Sequence, residues 1–173
     1  MKQTEAERIA AFQRLADHRL DGSYAMATAI LRNDSDAQDA VHDAVVLAWR
    51  RWASLRDQAK FDAWFDRIVV NVCRDRLKAA KVRVSTDIEH AASVGTPDAT
   101  SAVHHRIVVG QAFDRMKPDD IVVLALRHFL DLQLEDIAVL LDVPLPTAKT
   151  RLRTARERLR HRLERDSEDR VIR

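Results

Sequence analysis

Helix breakers are distributed very unevenly along this chain. All four prolines (Pro97, Pro118, Pro144 and Pro146) lie beyond residue 96, and only three glycines occur in 173 residues. Sandwiches and barrels need frequent Gly, Pro and Asn turns between β-rich strands. A chain with so few breakers has to bury its apolar side chains in helices joined by few connections. Enough of them exist to do so: 46% of residues are hydrophobic against 32% charged, while aromatics supply only 5%. That apolar content excludes a disordered protein. The expected fold class is therefore all-α.

Other classes drop out on single residues. One cysteine, Cys73, closes no internal disulfide and forms no thiolate zinc site, which points to a cytoplasmic protein. The longest apolar run, Ile121 to Leu126, is far short of the roughly 20 residues that cross a bilayer, so no membrane insertion is expected. The first residues mix Glu and Lys without an apolar block, unlike a signal peptide.

The net charge of +2 conceals a strong asymmetry. Residues 1–85 hold 15 Lys and Arg against 12 Asp and Glu. Residues 86–102 hold none against 3, and residues 103–148 hold 4 against 7. Residues 149–173 hold 10 against 5. A basic segment beside an acidic one suggests a polyanionic partner.

Periodicity divides the chain into two helical units. Leu15, Tyr24, Ile30, Leu31, Val41, Val45, Leu47 and Trp49 recur at near-helical intervals, interrupted at Asn33 to Asp36 by a turn with capping residues. After a second break from Ala53 to Lys60, an amphipathic segment runs from Phe61 to about Arg83. Residues 1–85 are thus expected to form a three- or four-helix bundle. Residues 86–102 are small and polar, without a period, and read as a flexible linker. Residues 103–165 form the second unit: a helix near Val103 to Met116, another over Asp119 to Phe129, and two short helices meeting at Asp142 to Pro144. The tail 166–173 lacks an apolar stripe and is expected to fray.

The clearest signal lies between Leu134 and Leu163. Leu134, Ile137, Ala138 and Leu141 form one face of a short helix. After a turn at Asp142 to Pro144, Ala148, Leu152, Ala155 and Leu159 form an inward face of the next. Pro146 suits a helix start, with Leu145 ahead of it expected to be extended. This is a helix-turn-helix pattern. Around the second inward stripe stand Lys149, Thr150, Arg151, Arg153, Thr154 and Arg156, followed by Arg158, Arg160, Arg162 and Arg165. Cations there suit phosphates and the acceptor edges of guanine, and threonine suits phosphates or a thymine methyl. The competing reading is a solvated helix with pairs such as Arg153–Glu157 and Arg160–Glu164. The first helix is acidic (Glu135, Asp136), which confines positive charge to the element that would read DNA.

The span 134–159, LEDIAVLLDVPLPTAKTRLRTARERL, resembles the promoter-reading domain of bacterial sigma factors. It is most similar to the short two-domain extracytoplasmic-function (ECF) group of the sigma-70 family. Asp142 and Pro146 stand where that pattern usually has glycine; Pro146 removes one N–H that could hold a phosphate. Two further segments resemble the same family. Residues 34–49, DSDAQDAVHDAVVLAW, are similar to its helix that docks on core RNA polymerase. Residues 61–77, FDAWFDRIVVNVCRDRL, are similar to its helix that reads the minus-ten element.

The resemblance implies roles residue by residue. Core polymerase would meet Asp39, Val41, His42, Asp43, Val46 and Trp49. The minus-ten element would meet Asn71 and the loop 53–59, with Trp52, Arg56, Lys60, Arg67, Arg74 and Lys78 around them, and the loop would hold a base extruded from the opened duplex. The minus-thirty-five element would meet Lys149, Thr150, Arg151, Arg153, Thr154 and Arg156, with Arg127 on a phosphate. An anti-sigma factor is implied as a regulatory partner. Each residue also has a plainer reading. Trp49 and Trp64 suit core packing, and Trp52 beside the loop less so. Asn71 suits a hydrogen bond within the bundle. Arg67, Arg74, Arg76, Lys78, Lys81 and Arg83 suit a solvated face as well as a DNA strand.

No catalytic pattern is present: the chain has no Gly-rich phosphate loop, nucleophile elbow or His-Glu-x-x-His. Asp39 and Asp43 sit four apart but face no second carboxylate or histidine helix. His104 and His105 lack the partners of a metal site. No enzyme, cofactor or metal is expected. The alternative function is a helix-turn-helix regulator that binds DNA without polymerase; a third reading is a helical scaffold without a nucleic-acid role.

Overall fold

A computed structural model describes residues 5–86, 110, 112, 113 and 115–171. Besides the helical residues Gly110, Ala112 and Phe113, they include six helices with defined bounds: α1 (Glu5–Leu31), α2 (Asp34–Arg51), α3 (Phe61–Thr86), α4 (Pro118–His128), α5 (Leu134–Leu141) and α6 (Leu145–Val171). No strand occurs among the described residues, in agreement with the all-α expectation.

The first three helices form the expected bundle. Arg32 takes a left-handed conformation (φ 57°), which turns the chain sharply after α1. Asn33 then caps α2 by accepting from the Asp36 N–H at 2.9 Å. In α2 the buried stripe is made of alanines: Ala37, Ala40, Ala44 and Ala48 are all fully buried. Their size brings α2 close to its neighbours, leaving the bulk of the core to α1 and α3. Phe12 of α1 packs edge-on against Trp49, Trp52 and Phe61 at 5.2, 5.4 and 6.1 Å, and Phe61 stacks on Phe65 at 5.4 Å. A partly buried ion pair fixes α1 against α3: Arg19 Nε donates to Asp66 Oδ1 at 2.8 Å, with Nη2 on Oδ2. Two short 3-10 turns, Trp52–Ser54 and Gln58–Lys60, occupy the second break.

The remaining helices form the helix-turn-helix unit. Ile121 to Leu126 of α4 are all buried, so α4 is the core helix against which α6 lies, with α5 packed on both. Asp142 ends α5 in a left-handed conformation (φ 53°), its N–H shared by the Ala138 and Val139 carbonyls. Aspartate is among the few non-glycine residues that adopt this geometry readily. Pro144 O accepts from the Thr147 and Ala148 N–H groups at 2.9 and 3.1 Å, which starts α6 with Pro146 in its first turn.

The structure corrects three expectations. Leu145 is the first residue of α6 rather than an extended residue ahead of it; within the first turn, a following proline displaces no intrahelical bond. The second helix of the motif is not short but runs 27 residues to Val171. The tail expected to fray from 166 is therefore helical as far as Val171. No Gly or Pro stops it, and pairs such as Arg160–Glu164 (3.6 Å) favour propagation. The span read as a linker, 86–102, lies outside the described residues beyond Thr86. So does most of the expected helix 103–116, of which Gly110, Ala112 and Phe113 are helical.

The two units touch. α1 and α3 pack on α4, and α3 also meets α5, so the buried apolar residues of both units form one continuous cluster. The basic face of α6 lies outside this seam: Lys149, Arg153 and Arg160 point to solvent.

Candidate nucleic-acid interface

Helix α6 is set by its buried stripe and by one polar strut. Ala148, Leu152 and Ala155 are buried and Leu159 is half-buried, as the spacing requires. Arg158, on the same helix, donates through Nη1 to both carboxylate oxygens of Asp120 on α4, at 3.0 and 2.8 Å. Asp120 is only 6% exposed. Arg158 therefore orients α6 and is not part of its free outer face.

The outer face presents Lys149, Thr150, Arg153 and Arg156 to solvent, with Arg151 and Thr154 half-buried at its edges. Thr150 Oγ1 donates to Pro146 O at 3.0 Å, and Arg153 pairs with Glu157 at 3.2 Å, one of the solvation pairs the sequence suggested. Such an exposed pair holds its cation weakly and leaves it available to a phosphate. A shallow groove of about 290 Å³ runs along this face, with Leu134 and Leu152 on its floor and Lys149, Arg153, Arg156 and Arg160 on its walls. Cationic walls over an apolar floor suit a polyanion carrying flat apolar edges.

Arg127 takes a different place from the one expected. It closes the α4–α5 turn, donating to Asp131 Oδ1 at 3.2 Å and to Leu132 O at 3.0 Å, where Asp131 is left-handed (φ 49°). Its guanidinium is largely used in holding that turn.

On α3 the candidate minus-ten residues separate into three groups. Arg56 and Lys60 are exposed in the turns before the helix, and Lys78 is exposed beside Asp75 at 3.5 Å. Asn71 is half-buried. Arg67 and Arg74 face the second unit: Arg67 Nη2 donates to Val139 O at 2.8 Å and Nη1 lies 3.4 Å from Asp142, while Arg74 lies 3.9 Å from Asp119. Trp52 is a correction. It is 5% exposed, locked between Phe12 and Phe61, so its ring is not presented to a base. Trp49 and Trp64, read as the better core candidates, are only half-buried.

On α2, Asp39, His42 and Asp43 are exposed, Val46 is 36% exposed and Trp49 half-buried beneath the Arg8 guanidinium at 5.8 Å. Val41 is 8% exposed and faces the core, so it is removed from the candidate docking face. The two aspartates converge on one cation of α3, Arg76, at 3.9 and 2.5 Å. A groove of about 470 Å³ opens beside them, lined by Val46, Leu47 and Val72 with Arg50 and Asp75 at its rim.

Among the described residues, four groups are shifted from their ordinary titration. Burial pushes the Cys73 thiol up to about 12, which leaves it protonated and unreactive. The Asp66 hydrogen bond raises Arg19. Burial lowers Lys81, with Arg162 reinforcing the effect. Burial also lowers His128, helped by Arg156 and Arg127; its Nε2 accepts from Arg156 Nε at 3.2 Å, a bond that requires the neutral ring. No group of acidic, histidine or cysteine side chains among the described residues is arranged to hold a metal ion.

Sequence reasoning missed Asp120, Arg158 and His128 as the residues that place the basic helix. Asp120 alone left a trace, an acid abutting the apolar run Ile121–Leu126. Arg32, at the α1–α2 corner, donates to Gly110 O of the second unit at 2.9 Å, and this clasp left no trace.

Comparison with known proteins bears on both units. The family model for sigma-70 region 2 matches residues 15–83, and that for sigma-70 region 4 matches residues 106–159. The chain is 34% identical over 128 residues to the ECF RNA polymerase sigma factor SigM of Mycobacterium tuberculosis, covering 74% of this chain and 64% of that relative's length. It is 30% identical over 167 residues to the RNA polymerase sigma factor SigV of Bacillus subtilis, covering 94% and 96%. Among solved structures, the sigma factor RpoE in complex with the anti-sigma factor NepR from Bartonella quintana superimposes with a TM-score of 0.60 at 21% identity, over 88% of this chain and 96% of that one. That likeness concerns the fold.

Proposed function

The chain belongs to the ECF group of the sigma-70 family of bacterial sigma factors, and from that premise we propose that it is an alternative sigma factor which binds core RNA polymerase and directs it to particular promoters. The single observation that carries this reading is the exposed basic face of α6 in a helix-turn-helix unit, attached to a second bundle that matches sigma-70 region 2.

In this reading the division of labour follows residues 1–85 and 103–165. Lys149, Thr150, Arg151, Arg153, Thr154 and Arg156 read the minus-thirty-five element, with Asp120 and Arg158 fixing the approach of their helix. Arg56, Lys60, Arg67, Asn71, Arg74 and Lys78 meet the minus-ten element. Asp39, His42, Asp43, Val46 and Trp49 meet core polymerase. The chain makes and breaks no covalent bond. Its binding energy offsets the unstacking of an opened duplex, a few kcal/mol, while polymerase performs nucleotidyl transfer. It works in the cytoplasm, where polymerase and promoter are, and an anti-sigma factor holds it inactive, as such a factor accompanies the Bartonella relative.

A binding experiment separates this from a free-standing regulator. Mobility shifts of a promoter-bearing duplex are measured with the chain alone, with core polymerase alone, and with both. The sigma reading expects a sequence-specific complex only with both; a specific complex with the chain alone supports the regulator.

A further inference from the structure

We infer, on the premise that the chain reads promoters as proposed above, that His128 is a positioning residue for that reading. From the end of α4 it holds the Nε of Arg156 and so sets where that guanidinium meets the DNA.

Lys149, Arg153, Arg156 and Arg160 make one row along α6, the wall of the groove over Leu134 and Leu152. Three of these cations are held, in two ways. Arg153 and Arg160 pair with Glu157 and Glu164 at 3.2 and 3.6 Å, each within the helix itself, where a carboxylate offsets the charge it steadies. Arg156 instead donates from Nε to His128 Nε2, at 3.2 Å, across to α4. A neutral imidazole steadies the side chain and leaves its charge whole. The bond takes one of five N–H groups. It leaves the other four, on the two terminal nitrogens, for a phosphate or for both acceptors of a guanine edge. An arginine set in place beforehand loses less rotamer freedom when it binds.

The anchor is itself fixed. His128 is the last residue of α4, and Arg127 closes the turn that follows, on Asp131 Oδ1 at 3.2 Å and Leu132 O at 3.0 Å. Eight residues earlier the same helix grips Arg158 through Asp120. These two holds on α6 differ in outcome: the buried carboxylate neutralises Arg158 and fixes the helix, whereas the imidazole leaves Arg156 charged on the outer face. Accepting requires a neutral ring with its proton on Nδ1. Among the described residues the charges acting on the ring are Arg156 and Arg127, and Asp131 is engaged by Arg127. Both cations favour the neutral ring, so the bond is present at neutral pH and is lost as pH falls through the lowered His128 value. Its loss frees Arg156 and adds a positive charge beside it. Acid therefore relaxes base reading while strengthening attraction to any phosphate.

The test is made on the full chain assembled with core polymerase. A pool of random-sequence duplexes is offered, the bound duplexes are sequenced, and the enrichment of each base at each position is measured. The unaltered chain is compared with His128→Ala, His128→Gln, Arg156→Lys and the Arg156→Lys, His128→Ala double variant. Glutamine supplies an uncharged acceptor that does not titrate. Lysine keeps the charge on a single nitrogen, so a neighbour that holds it aims nothing further. The series is run at about pH 5.5 and pH 7.5, with affinity for the unselected pool measured alongside.

His128→Ala is expected to lower enrichment of the preferred base at one or two adjacent positions about threefold, the change made by one hydrogen bond of ordinary net strength. His128→Gln is expected to retain it, and in the Arg156→Lys background His128→Ala is expected to change nothing further. On acidification the unaltered chain is expected to lose that enrichment and gain affinity for the unselected pool, both more than His128→Gln does. Enrichment undiminished in His128→Ala, or not retained in His128→Gln, overturns the inference. So does an acid response equal in His128→Gln, or a loss that persists in the Arg156→Lys background, which marks a displaced helix and not a misaimed side chain. An unaltered complex that enriches no sequence at all is a different result: it contradicts the promoter reading itself, and the role of His128 with it.

Discussion

Arg158 grips both carboxylate oxygens of Asp120, at 3.0 and 2.8 Å, and so ties the helix that carries the basic face to the most buried helix of its unit. Asp120 is 6% exposed but the Arg158 side chain is 45% open, so the pair is discounted for solvent screening. Asp120→Ala is expected to lower unfolding stability by about 1–2 kcal/mol, read from denaturant midpoints. An unchanged midpoint shows that the apolar stripe alone sets α6.

Packing and reading separate on α6. Leu152 is 4% exposed, and Leu152→Ala is expected to cost about 3 kcal/mol through lost transfer energy and a cavity. Lys149 is exposed with no role in the core, so Lys149→Ala is expected to leave thermal unfolding within about 0.5 kcal/mol. In the polymerase complex it weakens promoter binding and lowers the slope of log affinity against log salt by about one. An unchanged salt slope removes Lys149 from the phosphate contacts.

His128 makes the second unit sensitive to acid. Burial, Arg156 and Arg127 hold it below the ordinary 6.5, so between the folded and unfolded values the unfolded chain binds more protons. Stability then rises with pH through that window, is complete above 6.5, and is lost as pH falls. His128→Gln keeps an acceptor for Arg156 and removes the titration. Melts at about pH 5 and pH 7.5 are expected to differ less in the variant; an equal difference assigns the acid sensitivity elsewhere.

Cys73 is fully buried, with its thiol pushed to about 12. Alkylation by a thiol reagent is expected to be negligible in the folded chain and rapid after denaturation. Fast labelling of the native chain reveals opening of α3.

What was legible in the sequence is local. The stripe Ala148, Leu152 and Ala155, the turn at Asp142 and the Asn33 cap all follow from residues within one or two helical turns of each other. The full length of α6 escaped because charged residues carry no apolar period, although nothing in them ends a helix. Trp52 was misplaced for another reason: its sequence neighbours are a loop, while its packing partners, Phe12 and Phe61, lie on two other helices. The candidate site divides in the same way. Lys149 and Arg153 were found from spacing, whereas Arg67–Val139 and Arg32–Gly110 join residues 72 and 78 positions apart, and no periodicity encodes such pairs.

Run-off transcription tests the central claim most directly. Core polymerase is assayed on a broad promoter library with and without the chain, and with the Lys149→Ala, Arg153→Ala double variant. Specific transcripts that require the chain and fall sharply in the double variant are expected. A library on which core polymerase gives the same transcripts with and without the chain contradicts the account.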